Sequence, residues 1–243
     1  MTQVNEPSNT ESAKVVDLGQ RQDPRNERMG DLLTAVRGIG AKRLQQLAGS
    51  MFENVDDALF DLAEKAESNA AQMQYFDGMR EVRRKRALVE RLFHEQVARG
   101  LSDFAGGRAL SHADQAAHNA GAGAGASSSD ELTLIDDREL EESLAIASMV
   151  SKTEGRLARP LYAVNQRLSV ICGGNKVEDA SNPIGPAMLG GAFRHAMRAL
   201  DVDVRVKLIV YKLFDRYVMS GLDAFYEEIN VELVRAGVLP QLR

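Results

Sequence analysis

Residues 36–49, VRGIGAKRLQQLAG, carry the spacing in this chain that most resembles a ready phosphate-binding device. Gly38 and Gly40 flank Ile39, an apolar residue able to plug a tight turn, and Lys42 and Arg43 follow directly. In a helix-hairpin-helix, such a turn aims backbone N–H groups at a nucleic-acid phosphate while the cations supply long-range attraction. The pattern therefore nominates Gly38, Ile39, Gly40, Lys42 and Arg43 as a nucleic-acid contact. Against it, the motif occurs once, and the next helix opens acidic at Glu53, Asp56 and Asp57. A lone glycine hairpin is a low-specificity signal, so nucleic acid is the second reading and not the first.

The remaining reactive side chains do not assemble into a catalytic pattern. The acidic pairs Asp56–Asp57, Asp136–Asp137, Glu141–Glu142 and Glu227–Glu228 are adjacent in sequence. Neighbours on a helix diverge by about 100°, so such pairs cannot share a proton as a catalytic dyad does. Acids near helix starts instead cap them and complement the helix dipole. His94 and His195 fall on polar helix sides, with no Ser or Cys placed by local sequence to pair with them. His112 and His118 lie in a Gly/Ala-rich stretch with no Cys and no third His, which makes a metal site there unexpected. Cys172 is the single cysteine, which excludes an intramolecular disulfide. Met149, Met188, Met197 and Met219 read as gap-filling core residues. No cofactor, metal or catalytic residue is expected, and the chain reads as non-enzymatic.

The run REVRRKRALVER, residues 80–91, is the strongest local charge. Its cations point in almost every direction except the apolar stripe through Val82 and Val89. Glu81 stands four residues before Lys85, a well-oriented helical pair. The plain reading is a solvated face. A second reading pairs this run with the acidic stretch DDALFDLAEKAE of an antiparallel partner, as a charge-complementary self-contact.

The elements that would position these groups are helical. Of 243 residues, 44% are hydrophobic and only 5% aromatic, with no Trp, which favours close-set helices packed by small aliphatic side chains. The net charge of −5 and a pI near 5.5 argue against general affinity for nucleic acid. The first residues lack the apolar core of a signal peptide and no run is long enough to span a bilayer, so the expected site is the cytoplasm, without membrane contact.

Residues 1–28 are polar, broken by Pro7 and Pro24, and read as a disordered tail. An N-terminal helical module follows over 29–105, then a flexible Gly/Ala/Ser-rich linker over 106–130, then a C-terminal helical bundle module over 131–243. The first module should hold one long helix from Val55 to Gly100, on a stripe through Leu59, Leu62, Ala66, Ala70, Met73 and Phe76, weakened at Gly78. The second opens with a helix capped by Asp137 and stopped by Gly173–Gly174, whose heptad-like seam includes Leu140, Leu144, Leu157, Leu161 and Leu168. Pro160 should kink it. A helix from Pro186 to Leu200 comes next. DVDVRVK, residues 201–207, alternates like a strand, but no other segment could pair with it. A helix from Asp203 to Met219 is therefore expected, followed by one from Gly221 to Ala236. The fold class is all-α.

The segments NVDDALFDLAEKAESNAAQMQYFDGMREVRRKR, LEESLAIASMVSKTEGRLARPLYAVNQRLSVICGG, VKLIVYKLFDRYVMSGLDAFYEEIN and AGVLPQLR resemble, in order, the N-terminal part of a large bacterial family. That family is classed as a domain of unknown function and is sometimes labelled thymidine phosphorylase. The resemblance implies longer members with a β-rich C-terminal region similar to cyclic-dinucleotide-binding barrels, which has no counterpart here. It also implies a helix former where this chain has Pro160, and it brings no agreed catalytic residues. Phosphorolysis needs a phosphate cradle of backbone amides and cations, yet GGR and GAGAG fall in the linker and GGNK closes a helix. The label is therefore set aside.

The expected function is that of a regulatory or scaffolding module acting through helix-helix contacts. Leu140, Leu144, Leu157, Leu161 and Leu168 are its candidate contact residues. The expected partner is another protein or a second copy, giving a homo-oligomer through residues 131–243.

Overall fold

A computed structural model describes residues 24–107 and 137–242. The tail before residue 24, the linker beyond residue 107, His112, His118 and Asp136 lie outside the described residues. Among the described residues there are seven α-helices: α1 Pro24–Glu53, α2 Val55–Glu64, α3 Asn69–Ala105, α4 Asp137–Ile171, α5 Pro186–Met197, α6 Val204–Tyr217 and α7 Leu222–Arg235. Short 3₁₀ turns occur at Asp179–Ser181 and Met219–Gly221. No strand occurs among the described residues, and the all-α expectation holds.

α1 runs unbroken through the stretch where the sequence suggests a hairpin, and it begins inside the expected tail. The physical reason is a buried stripe that crosses both glycines: Val36, Gly40, Leu44, Ala48 and Met51 recur every three or four residues and are all buried. Gly40 lies against Phe225 of α7, where an added Cβ would come 3.8 Å from the ring. Continuous burial on one face outweighs the roughly 1 kcal/mol that each interior glycine costs a helix.

The expected long helix from Val55 to Gly100 is instead two. Lys65 ends α2, and Ser68, in an extended conformation, starts α3 by accepting a hydrogen bond on Oγ from the Ala71 N–H at 3.2 Å. Ser68 is a favoured N-cap, and its competition for the backbone breaks the run. The two helices fold back antiparallel. Phe60 meets Phe76 edge-on at 6.2 Å, and Arg83 pairs with Asp56 at 2.9 Å. The stripe expected to continue through Ala70 and Met73 is accordingly exposed at both positions.

The described helices share one hydrophobic cluster. At its centre Phe93 of α3 packs edge-on against Phe193 of α5 (5.9 Å) and Phe214 of α6 (5.7 Å). The rings of Phe193 and Phe214 stack at 4.0 Å. α6 is helical from Val204, with the Asp203 carboxylate accepting from the Arg205 N–H at 2.9 Å. Its alternating sequence finds no strand to pair with, while Val206, Val210, Tyr211, Leu213 and Phe214 all reach the core. α3 approaches α6 closely at Gly78, which therefore serves packing. An added Cβ there would lie 2.7 Å and 2.8 Å from the two Val206 methyls. α4 stays one helix through Pro160, whose carbonyl accepts from Asn230 Nδ2 at 3.1 Å.

Candidate functional site on the central helix

α4 has two unlike faces. Met149, Thr153, Leu157, Leu161, Val164 and Leu168 are buried in the shared core. On the other side Leu140 is 46% exposed, Leu144 60% and Tyr162 55%, with Ala147, Ser151, Gly155 and Ala158 also exposed between them. At about 100° per residue these seven positions fall within an arc of about 80°. The stripe contains no charged side chain.

The expected seam is thus divided. Leu157, Leu161 and Leu168 are core residues, while Leu140 and Leu144 face solvent. The reason is helical phase: the 17 positions from Leu140 to Leu157 turn the side chain by about 260°, a separation of about 100°, so a seam drawn across both halves passes from one face to another.

The buried side is fixed by polar groups whose partners are distant in sequence. Glu142, one of an adjacent acid pair, is buried and accepts from Lys207 Nζ at 2.9 Å and from Tyr211 OH at 2.8 Å. Burial first, and then the Glu142 carboxylate, push the Tyr211 phenol far above its ordinary range, so it stays a donor. Arg167 is buried without an acidic partner. Its guanidinium donates to the carbonyls of Val238 (3.2 Å), Leu239 (3.2 Å) and Leu242 (2.7 Å) and to the Asn230 amide oxygen. Burial lowers its pKa. Asn165 Nδ2 donates to Asp179 Oδ1 at 2.6 Å, and its Oδ1 accepts from Asn182 Nδ2 at 2.7 Å, tying the 172–185 loop to α4. Toward solvent, Lys152 pairs with Asp215 at 2.8 Å and Arg156 with Asp223. Among the described residues, neither Glu141 nor Arg159 has an ion-pair partner.

The candidate nucleic-acid residues do not form a turn. Gly38 and Lys42 are exposed on α1, Ile39 is half-buried, Gly40 is buried, and Arg43 reaches Glu228 at 3.4 Å. Interior helix N–H groups are already bonded within the helix, so the backbone cradle proposed for a phosphate is absent there. The basic run is spent internally. Arg80 pairs with Asp77, Arg83 with Asp56, Arg84 and Lys85 with Glu81, Arg86 with Glu90 and Arg91 with Glu95. Lys85 Nζ also donates to the Ala199 carbonyl at 2.7 Å. Of these pairs one, Arg83–Asp56, draws on the acidic stretch supposed to meet the run from a partner, here α2 of the same chain, and the other acids belong to α3 itself.

His94 lies beside Phe93, 5.3 Å between ring centres, and burial lowers its pKa against a weaker opposing effect of Glu90. His195 is exposed. Cys172 is a free, half-buried thiol whose pKa burial raises. Among the described residues no group of three or more His, Cys, Asp or Glu is placed to hold a metal ion. None of their helices is long and apolar enough to cross a membrane.

Fold and surface together define a helical domain with one shared core and a long helix that turns an uncharged face outward. The chain belongs to the family described as "Protein of unknown function (DUF1631) N-terminal domain", whose model matches residues 28–237. No curated protein and no solved structure matches it.

Proposed function

We propose that this chain is a non-enzymatic scaffolding or regulatory module that works by helix-helix contact and associates with itself through residues 131–243. One observation carries the reading. α4 presents Leu140, Leu144 and Tyr162 to solvent along an uncharged stripe, while its opposite face is committed to the core. Large apolar side chains aligned on one face of a long helix favour a second helical surface. The full chain at tens of micromolar should scatter light as a dimer or larger assembly, and Leu144→Asp, at an exposed position, should shift it toward monomer with its helical circular dichroism intact. A full chain that stays monomeric at hundreds of micromolar refutes self-association.

A further inference from the structure

We infer that two copies of this chain pair antiparallel along α4, with Ser151 of each copy meeting Ser151 of the other on the two-fold axis. This rests on the self-association proposed above and adds its surface, direction and register. The exposed stripe is symmetric in position about Ser151. Leu140 and Tyr162 lie eleven residues to either side, Leu144 and Ala158 seven, and Ala147 and Gly155 four. In an antiparallel pair the first of each couple therefore faces the second of the other copy. Leu140 packs on Tyr162, Leu144 on Ala158, and Ala147 on Gly155, so the bulky Leu144 meets a small side chain and the couple nearest the axis is small on both sides. With Ser151 between Ala147 and Gly155, the centre is lined by small residues that let two helix axes approach within about 8–10 Å. A parallel pair would instead set Tyr162 against Tyr162 and Leu144 against Leu144, leaving the large and small positions unmatched.

Charge agrees with the same register. Glu141 and Arg159 lie on one flank of the stripe, both about 100° round from Leu140. On that flank they are the charges without an ion-pair partner among the described residues, and the acid on the other flank, Glu154, is half-buried. The antiparallel register brings Glu141 of one copy opposite position 161 of the other, two residues and about 3 Å from Arg159. The two-fold axis makes this contact twice, whereas a parallel pair would place the two Glu141–Arg159 flanks on opposite sides of the seam, out of each other's reach. Nearer the axis the flank is quiet, because Asp215 neutralises Lys152 within its own chain. Such a two-fold contact is closed and does not propagate into a fibre.

Single cysteines in the full chain on a Cys172→Ala background test the register. Ser151→Cys should oxidise to a disulfide-linked dimer, because Cα atoms meeting on the axis come within disulfide reach. Leu140→Cys alone should not, since its counterpart lies about 33 Å along the pair, but a mixture of Leu140→Cys and Tyr162→Cys should cross-link. Glu141→Arg should weaken the dimer severalfold, and adding Arg159→Glu should restore it. Self-linking of Leu140→Cys, or a dimer in which no stripe cysteine links, overturns the antiparallel register and leaves self-association standing. A monomeric Cys172→Ala chain, with the unsubstituted chain also monomeric, overturns both.

Discussion

Replacing Gly78 by alanine should destabilise the protein, although the same change stabilises most helices. Gly78 lies in the interior of α3, where alanine gains about 0.8–1.0 kcal/mol of helix propensity. Its missing Cβ is the space occupied by Val206, whose methyls would lie 2.7 Å and 2.8 Å away and whose Cβ would lie 3.3 Å away. Both γ carbons collide, and a β-branched residue in a helix has little freedom to rotate them clear. α3 and α6 must separate, and overpacking of this kind costs about 1–3 kcal/mol. The net expectation is a loss of about 1 kcal/mol. Val206→Ala removes both offending carbons, so in that background Gly78→Ala should stabilise by about 0.5–1 kcal/mol, a coupling of about 2 kcal/mol. Urea unfolding of the four full-length variants, followed by circular dichroism, measures the cycle. Gly78→Ala stabilising the native background by its propensity value, or an additive cycle, would refute the close α3–α6 contact.

Glu142→Ala should cost about 2–3 kcal/mol by urea denaturation, below the usual loss for a fully buried pair because the Lys207 side chain keeps 19% exposure. Exposed Glu139→Ala is the comparison, and equal losses would contradict the buried role. His94 should make the protein less stable in mild acid: its folded-state pKa is depressed by burial, so below about pH 6.5 the unfolded chain takes up the proton first. The loss should begin as pH falls through that value, level off below the folded pKa, and flatten in His94→Phe.

The periodic segments were legible as helices because a helical face is written locally. The α4 terminus at Gly173–Gly174 shows it, both residues holding the positive φ that glycine permits (73° and 92°). The helical state of α6 also followed from sequence, since a strand without a partner has nowhere to place its hydrogen bonds. Features set by distant residues were not legible. Gly38 and Gly40 look like a turn until Phe225 is placed against the second of them. The cations of residues 80–91 look available until α2 folds back and Asp56 takes Arg83. Of the candidate contact residues Leu140 and Leu144 are exposed and Leu157, Leu161 and Leu168 are buried, because a heptad-like spacing does not say at which position a long helix leaves the core. Arg167, Asn165 and Glu142 gave no local sign of burial, their partners being supplied by the following loop and helices.

The aromatic cluster also bears on how the protein is made. Phe93 packs edge-on against Phe193 and Phe214, and Phe193 leaves the ribosome 100 residues after Phe93. At about 5–20 residues per second, α3 waits about 5–20 s for the helices that cover Val82, Val89 and Phe93. α1 and α2, already made, shield only part of α3 in that interval, the rest being covered by α5 and α6. The newborn N-terminal half therefore carries an open apolar flank for seconds, long compared with the sub-millisecond collapse of a chain this size. Synthesis, and not the folding reaction itself, sets the earliest moment at which this core can close.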